Sequence, residues 1–251
     1  MAAPEAEPVA ALGAGAAELG LLPAPDLADA GSSIGEFLSG AAIRIFDVVV
    51  AAFLLLVLLP LMMLTAIAVR VESRGPVFFR CKRVGYRGGE LRMLKFRKMR
   101  ACARGLPLTI DKDSRLTRIG GLLTRLRIDE VPQLVQVLRG SMSLVGPRPE
   151  APEFVALHPR DYAEILSVRP GIAGLSQIAF CDERRILDPD NPVDHYVSQI
   201  LPQKVALDRL YVDRRSLALN VRILSWTAVA MLTRREVAVH RDTGKMSLRK
   251  R

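Results

Sequence analysis

The sequence predicts a mainly α-helical protein with one small β-hairpin, in which a membrane helix precedes a basic α/β domain lying on the membrane surface. The first observation is a charge-free apolar run at residues 48–69, which has the length of a membrane helix. The second is that apolar residues recur at helical spacing in several later segments. The third is a pair of short apolar runs within residues 75–99, separated by the turn residues Arg87, Gly88 and Gly89, which predicts the hairpin.

Charge is distributed unevenly along the 251 residues. The net charge is +10, and all 36 Lys and Arg residues lie from Arg44 onward. A strongly basic region of this kind favours phosphate-bearing partners, namely nucleic acid, anionic lipid headgroups or nucleotide substrates. Composition alone does not distinguish among these three. Residues 1–40, rich in Ala, Gly and Pro, are predicted to be a disordered leader. They lack the positively charged start of a secretory signal.

The spacing of the cysteines and histidines disfavours several kinds of site. Cys81, Cys102 and Cys181 are widely spaced, and the sequence contains neither a C-x-x-C pair nor a Cys/His cluster. This spacing disfavours a zinc site and a disulfide framework, and it fits a reducing compartment. The three histidines are scattered, so they give little support to metal or triad chemistry.

The predicted membrane segment covers residues 41–72. Its apolar run would span roughly 33 Å as a straight helix at about 1.5 Å per residue, enough to cross a bilayer core. Pro60 is predicted to break the helix, because proline lacks a backbone donor and clashes with the carbonyl at position 56. Two topologies stay open: a tilted crossing helix, or a helix–break–helix that enters and leaves by the same face. In both, the basic part that follows is cytoplasmic by the positive-inside bias.

Residues 73–233 are predicted to form one domain, followed by a basic, flexible tail at 234–251. Apolar periodicity and breakers predict helices at residues 115–127, 130–139, 151–168, 195–215 and 216–233. Asp129 suits the N-cap of the second of these helices, with Leu134, Val135 and Leu138 facing the core. The last helix is either an interfacial helix with Trp226 at headgroup level or a core helix. The stretches between helices are predicted to be a loop at 143–149, a short strand or buried loop at 172–180, and a polar loop at 181–194.

An adjacent pair of acids, Asp129 and Glu130, lies in an arginine-rich stretch at residues 113–150. Taken alone, the pair is typical of a helix N-terminus, where acids are favoured. Neighbouring residues on a helix point about 100° apart, so the two carboxylates would have separate roles. One could attack phosphorus while the other supports a divalent ion, since Mg²⁺ and arginines neutralise the charge of such a reaction. Arg148, fixed between two prolines, is a candidate for bidentate phosphate contact.

A series of motifs between residues 40 and 232 carries a family resemblance. The motifs are RIFDVVV, the apolar helix with its central proline, GPVFFRCKRVGYRG, LKFRKM, DSRLTRIGGLLTRLRIDEVPQL, GSMSLVGPRPE and VRPGIAGLSQ. Each is modest alone, but together, in this order and spacing, they resemble the monotopic phosphoglycosyl transferases of bacteria, the sugar-transferase family that acts on polyprenyl phosphate.

The resemblance implies a two-step reaction. Asp129 would attack the β-phosphorus of a UDP-sugar and release UMP, and the phosphosugar–aspartyl intermediate would pass its sugar phosphate to undecaprenyl phosphate. Glu130 would assist, and both acids would hold Mg²⁺. Phosphate binding is assigned to Lys95, Arg97, Arg118 and Arg148. The reaction would begin exopolysaccharide, O-antigen or glycoconjugate synthesis.

The resemblance also implies a location and partners. It favours the re-entrant topology, with the break at Pro60 and the catalytic domain on the cytoplasmic face of the bacterial inner membrane. Inner-membrane lipids would be further partners, a homodimer is compatible with it, and nucleic acid is not among the implied partners. The chain departs from the usual family pattern at Leu59 and Lys98, where Ser is usual, and at Ser176, where Trp is common.

The competing class is a non-enzymatic basic protein that binds membranes or nucleic acid. Four Tyr, one Trp and the lack of a basic helical repeat disfavour base stacking or groove reading. The sequence gives no pattern for a sugar pocket, so the identity of the UDP-sugar is not predicted.

Overall fold

The computed structural model describes residues 34–100, 108, 113–233 and 235–249. The predicted leader therefore lies outside the described residues, except for its last part. The described chain is mostly helical and contains three two-stranded sheets. The prediction of a mainly α protein with a small β-hairpin is confirmed at this level, and the two further sheets were not predicted.

The first helix, α1 (Ile34–Glu72), begins earlier than the predicted start at residue 41. It is long and apolar enough to cross a membrane. Pro60 lies inside it, and helical structure continues on both sides of the proline, so the chain has no gap at this position. The predicted bend of the helix at Pro60 stays a prediction. A proline leaves neighbouring turns intact while removing one hydrogen bond, so it need not end a helix. Outward-facing apolar side chains run along α1: Val49, Phe53, Leu56, Val57, Met63, Leu64 and Ile67.

The N-terminal half of α1 is fixed to the rest of the protein by two charged side chains. Arg44 donates hydrogen bonds to the carbonyl oxygens of Val137 and Leu138, at 2.7 and 3.0 Å. Asp47 is buried and accepts from the Ser143 hydroxyl at 2.6 Å and from the Leu144 N–H at 3.1 Å. Buried charged groups are tolerated when they are hydrogen-bonded in this way.

The C-terminal end of α1 is fixed to the same domain. The carboxylate of Glu72 accepts from the Ile119 N–H, with both oxygens at 3.1 Å. Arg97 donates to the carbonyl oxygens of Ser73 and Arg74, at 2.6 and 2.9 Å. Arg97 thus supplies donors to the carbonyl groups of the two residues that follow the helix. Both ends of the apolar helix therefore contact one folded body.

The predicted hairpin is confirmed. Strands β1 (Phe78–Val84) and β2 (Glu90–Phe96) pair in antiparallel register, with Phe78 opposite Phe96. The turn contains a 3₁₀ segment, Tyr86–Gly88, in which Arg87 takes a left-handed φ of 54°. The Gln136 amide then joins β2 to the acid-pair region, since its Oε1 accepts from the Leu94 N–H at 2.8 Å.

The acid pair lies between two helices, but its local structure differs from the prediction. Helix α2 (Arg118–Leu126) is capped by Thr117, and Arg127 ends it with a left-handed φ of 56°. A 3₁₀ helix, Ile128–Gln133, follows and continues into α3 (Leu134–Leu138). Asp129 is inside the first turn of the 3₁₀ helix, so its prediction as an N-cap is wrong. Leu138 is exposed rather than in the core, because Val137 and Gln136 take the buried positions of α3.

Residues 143–149 are not wholly a loop, which corrects a second prediction. Strand β3 (Ser143–Val145) pairs in parallel with β4 (Gly171–Ala173). The backbones approach so closely that a Cβ on Gly171 would meet the Gly146 nitrogen at 2.0 Å. Two glycines distant in sequence therefore permit a pairing that local apolar pattern does not reveal.

The C-terminal half consists mostly of short helices. The predicted helix at 151–168 is divided because Pro159 lacks an N–H and His158 leaves helical geometry. Residues 237–248 form a hairpin where a flexible tail was predicted, with Val237 and Met246 buried. The elements are α4 (Pro152–Val155), α5 (Pro159–Ile165), α6 (Leu175–Ala179), α7 (Glu183–Ile186), α8 (Pro192–His195), the π-helix Tyr196–Ile200, α9 (Leu201–Asp213), α10 (Leu217–Thr233), β5 (Val237–Val239) and β6 (Met246–Leu248).

Helix α10 has one face in the core. Asn220 is buried and its Oδ1 accepts from the Tyr211 hydroxyl at 2.9 Å, while Ile223 is also fully buried. Val221, Met231 and Leu232 are exposed on other faces. The polar Asn220 that interrupts this apolar helix is therefore explained by a hydrogen bond within the core.

Candidate active site

A polar cleft opens between the end of β2, the 3₁₀ helix that carries Asp129 and Glu130, and the Gly-Pro-Arg-Pro turn after β3. Helices α2, α6, α7 and α9 and the π-helix also contribute residues to its walls. Its lining is rich in cations: Arg83, Lys95, Lys98, Arg127, Arg148, Arg184 and Lys204. Such a lining suits a substrate with several phosphate charges.

Glu130 is held by two cations. Lys95 Nζ and Arg148 Nη2 both donate to Glu130 Oε1, at 2.8 and 2.6 Å. Burial alone would raise the pKa of Glu130, but the charges of Arg148 and Lys95 outweigh it and hold the pKa well below its usual range. Glu130 is therefore an anion at neutral pH, and one of its oxygens is engaged by both cations.

Asp129 has a different environment, although it is the next residue. It is 4% exposed, and no described residue donates a hydrogen bond to its carboxylate. Lys98 Nζ lies 3.6 Å from Asp129 Oδ2, so the two side chains form an ion pair. Asp129 thus lines the cleft with a carboxylate that has an ion-pair partner but accepts no hydrogen bond from the part of the chain that the structure describes.

A second cluster of charges supports the turn that carries Arg148. Glu150, two residues later, accepts from Lys204 Nζ at 2.7 Å and from the Tyr196 hydroxyl at 2.8 Å. Burial would raise the pKa of Glu150, but Lys204 and Arg83 bring it down to about 2. Lys204 also contacts Glu183 at 3.2 Å, so helix α9 connects the turn with α7. This buried network fixes Arg148 relative to the acid pair.

Comparison with known proteins identifies the family. A sequence model described as bacterial sugar transferase matches residues 38–234, which cover most of the chain and include every cleft residue named above. The chain belongs to the bacterial sugar transferase family. The resemblance inferred from the motifs is confirmed.

Curated relatives of this sugar transferase carry different substrates in their names. A UDP-glucose:undecaprenyl-phosphate glucose-1-phosphate transferase of Caulobacter vibrioides is 36% identical over 76% of this chain and 69% of its own length. A UDP-N-acetylgalactosamine-undecaprenyl-phosphate N-acetylgalactosaminephosphotransferase of Aeromonas hydrophila is also 36% identical over 76% of this chain, but over 43% of its own length. An exopolysaccharide production protein, PSS, of Rhizobium leguminosarum is 36% identical over 76% of this chain and 95% of its own length.

The relatives differ from one another in length and in the sugar for which they are named. The chain spans less than half the length of some relatives that it matches, so their additional parts have no counterpart in the aligned region. Two relatives at the same identity are named for different sugars, so identity does not select the donor sugar.

The structure brings together part of the predicted site of the sugar transferase. Asp129, Glu130, Lys95 and Arg148 all line the cleft. Arg97 does not, because the residue is buried and its guanidinium donates to carbonyl groups at the end of α1. The predicted phosphate-binding role of Arg97 is therefore wrong in this structure. Arg118 is exposed at the start of α2 and is not among the cleft residues, so the structure does not group it with the site either.

Several residues that line the cleft were not predicted as site residues from the sequence. Lys98 contacts Asp129, and its position three residues after Lys95 was the available signal. Burial lowers the pKa of Lys98, and the charge of Asp129 opposes this effect. Glu150 ends the GSMSLVGPRPE motif and could have been singled out there. Lys204 had no local signal, because its partner Glu150 is distant in sequence.

The carboxylates fit a divalent ion only as part of a complex with substrate. No group of three or more His, Cys, Asp or Glu residues that could hold a metal is present among the described residues. Asp129 Oδ1 and Glu130 Oε2 accept no hydrogen bond from described residues. Mg²⁺ typically binds one or two carboxylates together with substrate phosphates and water. The donor set of Asp129 and Glu130 therefore fits Mg²⁺ brought together with a diphosphate.

Proposed function

We propose that this sugar transferase moves a sugar phosphate from a UDP-sugar to undecaprenyl phosphate through an intermediate on Asp129, as the first step of exopolysaccharide, O-antigen or glycoconjugate synthesis. The observation that supports it most is the contrast within the acid pair. Glu130 is engaged by two cations, whereas Asp129 meets the same cleft with no hydrogen bond from a described residue. A carboxylate nucleophile needs an available oxygen and nearby positive charge. Within the described residues, Asp129 Oδ1 accepts no hydrogen bond, and Lys98 supplies the charge.

In the first step, an Asp129 carboxylate oxygen attacks the β-phosphorus of the UDP-sugar. A new bond forms between that oxygen and phosphorus, and the bond from phosphorus to the bridging oxygen breaks. The bridging oxygen leaves with its electron pair as part of UMP. The sugar phosphate then remains as an acyl phosphate on Asp129. No proton has to move in this step.

In the second step, an anionic oxygen of undecaprenyl phosphate attacks the phosphorus of the acyl phosphate. The bond between Asp129 and phosphorus breaks, and the carboxylate is regenerated. The product is a sugar joined to undecaprenyl by a diphosphate. Lys95 and Arg148 supply positive charge beside the reacting phosphates.

Mg²⁺, when bound, would neutralise charge on the diphosphate and polarise the phosphorus that is attacked. Glu130 and Asp129 would be its protein ligands. The pairing of Glu130 with Lys95 and Arg148 keeps its carboxylate ionised and oriented for that role.

For topology, we propose that both flanks of the apolar helix lie at the cytoplasmic face of the inner membrane. Arg44 and Asp47 near one end, and Glu72 near the other, bind the same domain. A helix that crossed the bilayer would separate its flanks by roughly 30 Å of hydrocarbon. Contact of both ends with one body therefore supports a helix that enters and leaves by the same face, with its exposed apolar side chains in lipid.

The direct test uses the detergent-solubilised full chain with undecaprenyl phosphate, Mg²⁺ and a panel of UDP-sugars. We expect one or more UDP-sugars to yield UMP, and EDTA to stop the release until Mg²⁺ is restored. Failure of every UDP-sugar to release UMP, combined with salt-sensitive nucleic-acid binding, would instead favour the non-enzymatic basic protein.

A further inference from the structure

Among the described residues that line the cleft, Lys98 is the cation within ion-pair distance of Asp129. Its Nζ lies 3.6 Å from Asp129 Oδ2. Other cations are already engaged: Lys95 and Arg148 by Glu130, and Lys204 by Glu150. One short segment at the end of β2 thus provides Lys95 to the second acid of the pair and Lys98 to the first.

The backbone of Lys98 is held firmly. Its carbonyl oxygen accepts from the Thr117 N–H at 3.0 Å, at the N-cap of α2. Helix α2 packs so closely there that a Cβ on Gly120 would lie 1.9 Å from the Lys98 carbonyl oxygen. The Lys98 side chain is 20% exposed. Helix α2 therefore fixes the base of this side chain, while the ammonium group stays in the cleft.

We propose that Lys98 is a catalytic residue of the first step, which holds the Asp129 carboxylate toward the cleft and then neutralises the phosphoryl group transferred to it. This inference rests on the proposed function. Before the attack, the ammonium pairs with the carboxylate. As the bond from Asp129 to phosphorus forms, that carboxylate loses its charge, and the ammonium becomes free to donate to a non-bridging oxygen of the same phosphoryl group.

Lys98 remains protonated throughout, so atoms and charge balance without a proton transfer. The positive charge stays in place while its anionic partner changes from carboxylate to phosphoryl oxygen. A hydrogen-bond donor that is already in position stabilises the negative charge that develops on the phosphoryl group in the transition state. Such a donor contributes more to the reaction rate than to substrate binding. The expected effect of Lys98 is thus on the rate constant of UMP release rather than on UDP-sugar affinity.

The test measures single-turnover UMP release without lipid acceptor, using UDP-glucose and UDP-N-acetylgalactosamine as probes, together with UDP-sugar affinity and thermal unfolding. We expect Lys98→Met to slow UMP release by about 100-fold, the typical effect of removing one stabilising donor, with affinity changed much less. Lys98→Arg should recover most of the rate, because it keeps the charge. Lys98→Gln replaces Lys98→Met if the latter does not fold, with the same expected slowing.

The matched control is Lys82→Met on the outer face of the hairpin, where Lys82 is 67% exposed and pairs with Glu90. It should release UMP at the wild-type rate. A wild-type rate in Lys98→Met, or equal slowing in Lys98→Met and Lys98→Arg together with lowered thermal stability, would overturn the role of Lys98. Failure of the proposed function looks different, because the wild-type chain itself would then release no UMP with these two probes or with any other UDP-sugar of the panel.

Discussion

The guanidinium of Arg148 and the carboxylate of Glu130 form a partly buried ion pair, with Arg148 Nη2 2.6 Å from Glu130 Oε1. The side chains are 25% and 13% exposed, so solvent screens the pair only in part. Because Arg148 follows β3 and Glu130 precedes α3, the pair connects the Gly-Pro-Arg-Pro turn with the acid pair. The charge of Glu130 in turn raises the pKa of Arg148 above its usual value.

The first prediction concerns Arg148→Met. Glu130 would keep Lys95 but lose its second cation, so we expect the free energy of unfolding to fall by about 1–3 kcal/mol, between the values for exposed and buried pairs. The KM for the UDP-sugar should also rise at least about tenfold, the effect of losing one charge-assisted phosphate contact. Denaturation in detergent and the UMP assay measure the two effects. Arg92→Met is the control, since Arg92 is 72% exposed and pairs with Glu90. Similar behaviour of both variants would contradict a special role for Arg148.

The second prediction separates Arg97 from the phosphate-binding residues. Arg97→Met should lower the unfolding temperature, because the carbonyl groups of Ser73 and Arg74 would lose their donors at the end of α1. The KM of the folded fraction for the UDP-sugar should stay near the wild-type value. Arg118→Met, at an exposed position, should leave the unfolding temperature unchanged. A raised KM with unchanged stability in Arg97→Met would restore the original phosphate-binding prediction.

The sequence predicted those elements and site residues whose pattern lies within a short segment of the chain. The apolar run of α1, the hairpin turn at Arg87, and the acid pair with Lys95 and Arg148 belong to this class. Arg97 was assigned to phosphate binding because the family resemblance includes the LKFRKM motif, which also contains Lys95. A motif does not show which way each side chain points. Strand β2 ends at Phe96, and the Arg97 side chain turns toward the end of α1.

Pairings between distant residues could not be predicted in the same way. The parallel pairing of β3 with β4 depends on contact between Gly146 and Gly171, and each glycine alone reads as a loop signal. The contact of Lys204 with Glu150 likewise joins a helix to a turn far away in sequence. In both cases tertiary packing, rather than local preference, decides the structure.

The third prediction is a pH dependence of stability. Burial raises the pKa of Asp208 to about 7, against the opposing effects of the Ser176 hydroxyl and Lys204. A carboxyl group whose pKa is raised on folding contributes stability that is fully present below its unfolded pKa, near 3.8. That contribution is lost as the pH rises through about 7. Unfolding temperatures between pH 4 and pH 8 should therefore fall less steeply in Asp208→Asn than in wild type.

The control for this measurement is Asp242→Asn, since the Asp242 side chain is 89% exposed. It should keep the wild-type slope of unfolding temperature against pH. Equal slopes for wild type and Asp208→Asn would show that Asp208 titrates in its ordinary range.

The fourth prediction concerns the topology of α1. In a chain whose native cysteines are replaced by serine, single cysteines at Leu38 and Arg74 mark the two flanks, which are both exposed. An impermeant maleimide should label both positions only from the cytoplasmic side, because both ends of α1 contact one domain. Labelling of the two positions from opposite sides would establish a crossing helix.

The nucleophilic role of Asp129 is tested most directly by mass spectrometry of the chain after incubation with the active UDP-sugar and Mg²⁺, without undecaprenyl phosphate. We predict one sugar phosphate on the peptide that contains Asp129, formed together with an equal amount of UMP, and neither product in Asp129→Asn. Addition of undecaprenyl phosphate should remove the modification. UMP release only in the presence of the lipid, without any modified peptide, or full activity in Asp129→Asn, would contradict the covalent mechanism.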